Sequence, residues 1–512
     1  MRYIVSGGQM KEIDRYTIHE IGIPSMVLME RAAMAVAAEI EQRAGYSDVI
    51  WAVCGTGNNG ADGVAAARML HVKGYSVSVI LAGERDRGSR EFQEQLAIAD
   101  KLGVEIALYD DYIPGRCDFV IDAVFGVGLD REIGGTSRAL LTMVSNQKPR
   151  FTVAVDLPSG IHADTGAVMG IALPADITVT FGYEKLGTML YPGKGYSGQV
   201  KIADIGFPDI SLKRIEPEYF TYECSDKKLI PTRPSYSNKG TFGKVLVIAG
   251  SENMSGAAYL SALAAYRTGA GLVKLFTVEE NRTVLQTQLP EAIITTYQRE
   301  EVLAMTDDFK ALLEEQCQWA DVIVLGPGIG QEPYVENLTE AVLEGAFVPI
   351  IIDADGLNAI ANNPQLTNYF TENMIITPHL GEMARLTGSS VTNIQKNLIT
   401  TAREYADRFG ITCVLKDAVT IAAGKDQKTY VNASGNSSMA KAGSGDVLTG
   451  IIAGLLALGL EEEKAASLGV WLHGLAGDKV REVNGEHSLL ARELAEAIPV
   501  IMQQNNRKEE ER

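Results

Sequence analysis

A glycine-rich stretch near the end of the chain, MAKAGSGDVLTG at residues 439–450, carries residue types suited to phosphoryl transfer. The glycine-serine-glycine run at 443–445 opens an apolar helical pattern, and Asp446 falls in its first turn. Backbone N–H groups at a helix start can bind a phosphoryl group. A carboxylate beside them can take the proton from an attacking hydroxyl. The alternative is a glycine-rich loop whose aspartate complements the helix dipole. The pattern G-K-[ST] is absent, which excludes a P-loop ATPase.

A second glycine-rich stretch, CGTGNNGADG at residues 54–63, follows a strand-like run and precedes a helical pattern. Its glycines match G-x-G-x-x-G, which predicts a dinucleotide pyrophosphate at the helix start. Asn58, Asn59 and Asp62 are unusual there, because dehydrogenase loops are mostly small and apolar. The acidic residue that such an enzyme uses for the ribose is also poorly placed, with Glu84 lying later than expected. A dehydrogenase is therefore the weaker interpretation of this loop.

Polar side chains follow other strand-like runs of the same half. Asp122 ends one run, Asp156 ends another, and Ser159 comes just after it. Because ligands bind outside the carboxyl ends of parallel strands, we expect these residues and Asn59 to converge on one crevice. The alternative is that each side chain only caps a turn or a helix. Neutral and anionic oxygens without cysteine or histidine suit an alkali or alkaline-earth cation better than zinc or copper.

The elements that must position these residues form two series. From 49 to about 206, short β-branched strands alternate with helices, and a second series of this kind begins at residue 244. This alternation predicts two different α/β domains, the first a doubly wound parallel sheet. Ser25 is expected to cap a helix over 25–40. The proline-containing, polar stretch between the series reads as a connector, and the tail NNRKEEER as a solvated, frayed end.

Composition restricts the class of protein. The formal net charge of −19 argues against a nucleic-acid partner, because no basic surplus exists to neutralise phosphates. Five widely spaced cysteines without C-x-x-C favour reduced thiols in the cytoplasm over a zinc site or a disulfide framework. The first residues have no apolar signal core, and no run of 18 apolar residues occurs, so we expect neither secretion nor a membrane.

The runs NNGADG, DAVFGVG and VDLPSGIHADTG resemble the epimerase domain of the NAD(P)H-hydrate repair family, over roughly residues 1–215. The resemblance implies an acid/base at Asp156 and a potassium ion on oxygen ligands of Asn59, Asp122 and Ser159. It also implies two substrate-binding loops that act together with Asp156. Their members are Asn58, Asn59, Gly60, Ala61 and Asp62 in one loop, and Gly126, Val127, Gly128, Leu129, Asp130, Arg131 and Glu132 in the other. The dinucleotide would then be a damaged substrate and not a redox cofactor. Ala61 and His162 depart from the glycine and aspartate usual in the family.

The second half resembles the ribokinase-like superfamily, and more closely the ADP/ATP-dependent NAD(P)H-hydrate dehydratases. The supporting runs include KGTFGKVLVIAGS, VLGPGIG, DADGLN, TPHLGEMARLTG, VLKDAVTIAAG and MAKAGSGDVLTG. The resemblance implies that Asp446 is the catalytic base and binds substrate together with Ala257, Gly328 and His379. It further implies a nucleotide site at Lys416, Asp417, Ala418, Val419, Thr420 and Gly445, although Asp417 stands where glycine is usual. ADP is the implied phosphoryl donor, with magnesium on its phosphates. His473 is expected to be a packed helix residue, and Asp353, Asp355 and Asn358 to serve structure or substrate positioning.

Together these interpretations predict an epimerase domain at 1–215, a connector at 216–235 and a ribokinase-like dehydratase domain at 236–505. The expected activity interconverts the two C6 epimers of hydrated NADH or NADPH and dehydrates the S form with ADP, giving AMP and phosphate. One alternative is a small-molecule kinase of the ribokinase-like superfamily with a dinucleotide-binding accessory domain. Another is a dinucleotide sensor or scaffold whose first domain binds without reacting. We also expect a homo-oligomer.

Overall fold

The computed structural model describes residues 1–112 and 114–503 and divides into two compact units. One unit comprises Tyr3–Tyr219, and the other comprises Met1–Arg2 and the chain from Phe220 onwards. The expected frayed end at 505–512 lies outside the described residues, as do the last two residues of the second predicted domain.

The N-terminal unit is built on a parallel sheet whose strands run in the order β4-β3-β2-β5-β6-β7-β9. Its strands are β2 Val49–Cys54, β3 Ser76–Leu81, β4 Glu105–Leu108, β5 Phe119–Ala123, β6 Phe151–Val155, β7 Ile177–Phe181 and β9 Gln199–Ala203. Two short strands, β1 Arg2–Val5 and β8 Glu184–Lys185, pair in parallel. The sheet order reverses between β2 and β5, which is the topological switch point where such folds bind ligands.

Helices cover both faces of this sheet. They are α1 Gly7–Tyr16, α2 Ser25–Glu41, α3 Asn58–Val72, α4 Arg90–Lys101, α5 Gly135–Gln147, α6 Leu186–Met189, α7 Gly193–Ser197 and α8 Asp209–Ile215, with a π-helical turn at Thr17–Ile21. Alternate residues of β2 join different cores: Ile50 packs with α2 and α3, whereas Trp51 packs with α5. This two-sided burial explains why β2 reads as an unbroken apolar run.

The C-terminal unit has the strand order β13-β12-β11-β14-β15-β16-β17-β18-β19, parallel except for the last two pairings. After β10 Tyr219–Thr221, the strands are β11 Lys244–Ile248, β12 Leu272–Val278, β13 Ile293–Tyr297, β14 Val322–Leu325, β15 Ile350–Ile352, β16 Met374–Ile376, β17 Thr412–Leu415, β18 Ile421–Ala423 and β19 Thr429–Val431. Here the order reverses between β11 and β14, which makes the loops after those two strands the expected binding crevice.

Helices separate the parallel strands of this unit and dominate its end. They are α9 Ser255–Thr268, α10 Arg282–Gln288, α11 Arg299–Ala304, α12 Asp307–Trp319, α13 Tyr334–Gly345, α14 Asp355–Asn362, α15 Leu380–Thr387, α16 Val391–Lys396, α17 Leu398–Phe409, α18 Ser444–Ala457, α19 Glu462–Asn484 and α20 Ala491–Ile501. Shorter 3₁₀ turns lie at Arg85–Arg87 and Tyr109–Asp111 in the N-terminal unit, and at Cys224–Leu229, Lys239–Phe242, Glu279–Asn281, Pro364–Tyr369 and Ser437–Met439 in the C-terminal unit. Over the residues that the structure describes, no helix has the length and apolarity to cross a membrane.

The predicted α/β class is confirmed for both halves, and two local predictions are wrong. Ser25 does not cap the second helix: it is the first helical residue, after Pro24, and its hydroxyl donates a hydrogen bond to Glu91 (2.8 Å). The predicted glycine-rich loop before Val64 is shorter than expected, because α3 already begins at Asn58. The polar residues of NNGADG therefore lie on the first turns of a helix.

Candidate active sites

A cavity of about 700 Å³ lies at the switch point of the N-terminal sheet. The predicted substrate residues that line it are Asn58, Asn59, Asp62, Gly126, Val127, Gly128 and Asp156. The other members of the two predicted loops do not line it. Gly60, Ala61 and Leu129 are buried, and Asp130, Arg131 and Glu132 are exposed. The structure thus brings the start of α3, the turn after β5 and the end of β6 together around one cavity.

The first turn of α3 packs closely against Gly55, the residue that follows β2. A side chain at Gly60 would collide with the carbonyl oxygen of Gly55, so only glycine allows this approach of helix and strand. Ala61 lies in helical conformation inside the apolar core, and it needs no left-handed backbone angle. The departure from glycine at this position is therefore accommodated without strain.

Asp156 is held by a dense set of hydrogen bonds immediately after β6. Its backbone is in the left-handed region (φ +67°), which aspartate tolerates better than most residues. Its Oδ1 accepts hydrogen bonds from Lys185 Nζ (2.5 Å), Thr180 Oγ1 (3.1 Å) and the Phe181 N–H (3.1 Å). The carboxylate is therefore fixed in orientation at the wall of the cavity.

Lys185 is a site residue that the sequence did not reveal. Its side chain is fully buried, and its ammonium donates to Asp156 and also to Thr180 Oγ1 and the Phe181 carbonyl (both 3.0 Å). A lysine in the run DITVTFGYEKLG, directly after a buried strand, was the available signal, because a lysine there must find a partner.

The residues predicted to hold potassium lie together behind the turn that follows β5. The Ser159 N–H donates to Asp122 Oδ2 (2.8 Å), and Ser159 Oγ accepts from the Phe125 N–H (2.9 Å). A Cβ at Gly126 would lie 2.8 Å from Asn59 Oδ1, which places Asn59 against the same turn. Asp122 Oδ1 is buried, and no hydrogen-bond partner for it lies within the described residues. Burial raises the pKa of Asp122 to about 6, although the hydrogen bonds from Ser159 oppose the shift.

The C-terminal unit places Asp446 at the third position of α18, in the first turn, where helix N–H groups lack an intrahelical partner and can bind an anion. The Ser444 N–H already donates to the Lys441 carbonyl (3.3 Å). Gly443, at the cap position, has φ +89°, and a side chain there would lie 2.5 Å from Leu260. Burial, and then the charge of Asp353, raise the pKa of Asp446 to about 7, which Lys416 partly opposes. Among the described residues no hydrogen bond or ion pair engages the Asp446 carboxyl, so it is available to a ligand.

Lys416 connects this helix start to the neighbouring strands. Its Nζ lies 2.7 Å from Asp353 Oδ1, and it would lie 3.2 Å from a Cβ at Gly445. Thr377 Oγ1 (2.7 Å) and Thr449 Oγ1 (3.1 Å) also donate to Asp353. Burial opposes ionisation of both groups, yet their mutual attraction lowers the pKa of Asp353 and raises that of Lys416. The pair is thus an internal ion pair beneath the anion site.

Other predicted nucleotide residues lie with Lys416 in the turn between β17 and β18, Lys416–Thr420. Asp417 has no left-handed backbone angle there, so the aspartate fits where glycine is usual. Ala257 and Gly328 meet at the crevice between β11 and β14, since a Cβ at Gly328 would lie 2.8 Å from Ala257 Cβ. The structure therefore groups the predicted residues in two places, the start of α18 and this crevice.

The structure adds contacts to the predictions for the two histidines. His379 caps α15: its Nδ1 accepts the Gly381 N–H (2.9 Å), and its own N–H donates to Glu382 (2.8 Å). Its Nε2 lies 3.3 Å from Glu382, and more than half of the side chain is exposed. His473, expected only to pack, lies 3.2 Å from Ser444 Oγ at the start of α18. Burial lowers the pKa of His473 to about 4, so this imidazole is neutral.

Each unit therefore carries a buried or half-buried carboxylate beside a helix start at the carboxyl edge of an α/β sheet. That combination is typical of enzymes that transfer protons and bind phosphorylated ligands. Comparisons with known proteins agree with this class. The family model described as YjeF-related protein N-terminus matches residues 25–187, and the model described as NAD(P)H-hydrate dehydratase matches residues 245–500.

Full-length relatives carry both regions in one chain. The bifunctional NAD(P)H-hydrate repair enzyme Nnr of Moorella thermoacetica is 36% identical, covering 98% of this chain and 96% of the relative. The protein of the same name from Escherichia coli is 35% identical over 96% of this chain and 92% of its own. The chain belongs to the family of bifunctional NAD(P)H-hydrate repair enzymes. Among solved structures, an ADP/ATP-dependent NAD(P)H-hydrate dehydratase from Bacillus subtilis, co-crystallised with ATP and Mg²⁺, is 31% identical; the match covers 55% of this chain and 96% of that one, with a TM-score of 0.48.

Proposed function

We propose that this protein repairs hydrated NADH and NADPH: the N-terminal unit interconverts the two C6 epimers, and the C-terminal unit dehydrates the S form with ADP. The observation that carries the proposal is that each unit places one carboxylate, Asp156 or Asp446, beside a helix start that can bind phosphate. The similarity to bifunctional repair enzymes along the whole chain supports the pairing of the two activities. The proposed domains are residues 1–215 and 236–505.

Epimerisation needs proton transfer at one oxygen. The lone pair of the ring nitrogen expels the hydroxyl from C6 and leaves a planar carbon, to which water adds from either face. We assign the proton transfer to Asp156, whose carboxylate is oriented by Lys185 and Thr180. The substrate-binding positions proposed for this step are those of the loops 58–62 and 126–132.

Dehydration needs a better leaving group than hydroxide. Asp446 takes the proton of the C6 hydroxyl group. The hydroxyl oxygen attacks the terminal phosphorus of ADP, and AMP leaves. The ring nitrogen then expels phosphate, and loss of a proton from C5 restores the dihydropyridine. The N–H groups at the start of α18 stabilise the phosphoryl group in transit, and Lys416 adds positive charge beneath them. Ala257, Gly328 and His379 are the proposed substrate contacts, and residues 416–420 and Gly445 the nucleotide contacts.

Two ions fit these sites. Potassium suits the oxygens of Asn59, Asp122 and Ser159. Asp122 Oδ1 is buried and has no hydrogen-bond partner among the described residues, and Asn59 and Ser159 contribute neutral oxygens. When bound, potassium would supply positive charge that orients a substrate phosphate. Magnesium would be held chiefly by the phosphates of ADP and by water. No cluster of three histidine, cysteine, aspartate or glutamate side chains able to hold a metal occurs within 1–112 and 114–503, which is consistent with a magnesium ion carried in by the nucleotide.

The test uses the purified full-length protein and a mixed sample of the two hydrate epimers. We expect proton NMR to record interconversion of the epimers without nucleotide, and the near-ultraviolet absorbance of the dihydropyridine to return only with ADP or ATP. A small-molecule kinase with a binding domain would do neither. We also propose a cytoplasmic location, supported by five free cysteines, and a homo-oligomer, which light scattering would test.

A further inference from the structure

A second carboxylate lies in the same cavity as Asp156. Asp62 is the fifth residue of α3, its side chain is 8% exposed, and it lines the cavity of about 700 Å³. Within the described residues, no hydrogen bond or ion pair engages its carboxyl. Its position is too far into α3 to cap the helix start. A buried carboxyl group without a structural partner is costly, which points to a role toward a ligand.

The two carboxyl groups differ in their surroundings. Asp156 receives hydrogen bonds from the buried ammonium of Lys185 and from Thr180. These donors stabilise a carboxylate anion. Among the described residues Asp62 has no such donor, and the charge of Asp156 acts on its carboxyl group. One cavity therefore holds one carboxyl group surrounded by hydrogen-bond donors and one without them among the described residues.

Six other charged or titratable groups line the cavity, three of them acidic and three basic. They are Lys11, Asp14 and His19 from α1 and the π-helical turn, Glu91 from α4, and Asp156 and Lys185. Cys54, at the end of β2, lies close enough for the charge of Asp62 to act on its thiol. Burial, and then the charges of Asp156 and Asp14, raise the pKa of Asp62 well above its usual range. Burial and the neighbouring carboxylates therefore both favour the protonated form of Asp62.

We propose that Asp62 is a second catalytic residue of the epimerase centre, giving its proton to the C6 hydroxyl that leaves the substrate while Asp156 receives the proton of the water that adds back. This inference rests on the proposed epimerase activity. It assigns the two proton transfers to two carboxyl groups in different surroundings: Asp156 accepts three hydrogen bonds, and Asp62 accepts none among the described residues.

The step balances in atoms and charge. The C6–O bond breaks, its electron pair leaves with the oxygen, and that oxygen takes the proton of Asp62 to become water. The lone pair of the ring nitrogen forms a C6=N bond in the resulting cation. A water molecule then attacks C6 on the other face, the C6=N electron pair returns to nitrogen, and a proton of that water passes to Asp156. Exchange through water in the open cavity returns the proton to Asp62 after the product leaves.

The experiment measures epimerisation by the full-length protein, by proton NMR, as a function of pH. The variants are Asp62→Asn, which resembles the neutral acid in shape but cannot transfer its proton, and Asp62→Glu, which keeps a titratable acid. The control is Asp48→Asn. Asp48 is a buried carboxylate at the opposite end of β2, where it accepts hydrogen bonds from the Gly45 N–H (2.8 Å) and Arg150 (2.7 Å).

We expect Asp62→Asn to lower kcat for epimerisation by about 10²- to 10⁴-fold, the range for loss of a general acid, with KM nearly unchanged. The wild-type rate should fall at high pH, where Asp62 loses its proton, and Asp62→Asn should lack this alkaline decrease. Asp62→Glu should keep an alkaline decrease at a shifted pH. Asp48→Asn should keep the wild-type profile even if its thermal stability is reduced.

The possible outcomes distinguish the proposed epimerase function from the proposed role of Asp62 in it. If the wild type does not interconvert the epimers, the proposed epimerase function fails. If the wild type is active and Asp62→Asn keeps its kcat and its alkaline decrease, Asp62 is not the acid and the epimerase assignment stands. A raised KM with unchanged kcat also overturns the inference, because it assigns Asp62 to substrate binding alone. Should Asp62→Asn fail to fold, Asp62→Glu decides, since an unmoved alkaline decrease in that variant excludes Asp62.

Discussion

The pH dependence of the dehydratase follows directly from the surroundings of Asp446. A general base acts only when ionised, and burial raises the pKa of Asp446 from 3.8 to about 7. The ionised fraction is then about 10% at pH 6 and about 90% at pH 8, so kcat should rise roughly ninefold between them. The sign is fixed, because activity is lost as pH falls through the raised pKa. An aspartate with its usual pKa would give a flat profile over this range.

Two neighbouring charges, Lys416 and Asp355, allow Asp446 to be identified as the titrating group. Lys416 lowers the pKa of Asp446 and Asp355 raises it, so Lys416→Met should move the rise in kcat to higher pH and Asp355→Asn to lower pH. Bound ADP also titrates, with a second phosphate pKa of about 6 in solution, and a pH dependence that comes from ADP should remain in the residual activity of Asp446→Asn. Asp446→Asn should lower kcat by about 10²- to 10⁴-fold and leave nucleotide binding intact.

The assay is the recovery of dihydropyridine absorbance from the S epimer with saturating ADP and magnesium, recorded across pH for the four proteins. Lys416→Met leaves the buried carboxylate of Asp353 without its cation, which costs about 3–5 kcal/mol of folding stability, so each assay runs well below the measured unfolding temperature. A flat wild-type profile between pH 6 and 8 would refute the reasoning. So would shifts of the same sign in Lys416→Met and Asp355→Asn, or an Asp446→Asn variant as active as the wild type.

Three further predictions concern the N-terminal unit. Asp156→Asn should abolish epimerisation while the S epimer is still dehydrated, so repair of a mixed sample stalls once that epimer is consumed; interconversion at the normal rate would assign the chemistry to another group. Potassium at matched ionic strength should raise epimerase activity or substrate affinity, and Asp122→Ala should weaken that response; equal rates with and without potassium would remove the ion from the mechanism. Gly60→Ala should destabilise the unit by more than about 3 kcal/mol, since its new methyl group collides with the Gly55 carbonyl, whereas Ala61→Gly should cost only about 1 kcal/mol in chemical denaturation.

The sequence was sufficient to predict the α/β class. Asn59 and Asp156 line one cavity because parallel strands present their carboxyl ends at one edge, whereas Asp122 and Ser159, expected in the same crevice, are fully buried and do not line it. Asp122 and Ser159 are in direct contact, although 37 residues separate them. The start of α3 was misplaced, since glycine and asparagine at 57–60 read as a loop, and close packing against Gly55 overrides that preference. Lys185 could not be paired with Asp156 from sequence, because the pairing depends on how β8 is placed beside the end of β7.

The proposed C-terminal site must combine two conflicting properties, the binding of an anion and the supply of a base. A lysine near the phosphates strengthens nucleotide binding, but the same charge would hold Asp446 fully ionised and weaken it as a base. The structure separates the two effects by giving the closest contact of Lys416 to Asp353, at 2.7 Å, where Thr377 and Thr449 complete the shell of the carboxylate. Asp446 is left without a partner among the described residues, and the negative charge of Asp353 raises its pKa further. Asp353 therefore retains the cation beneath the phosphate site while Asp446 keeps a pKa near neutrality, which is the value that favours proton transfer from a hydroxyl group.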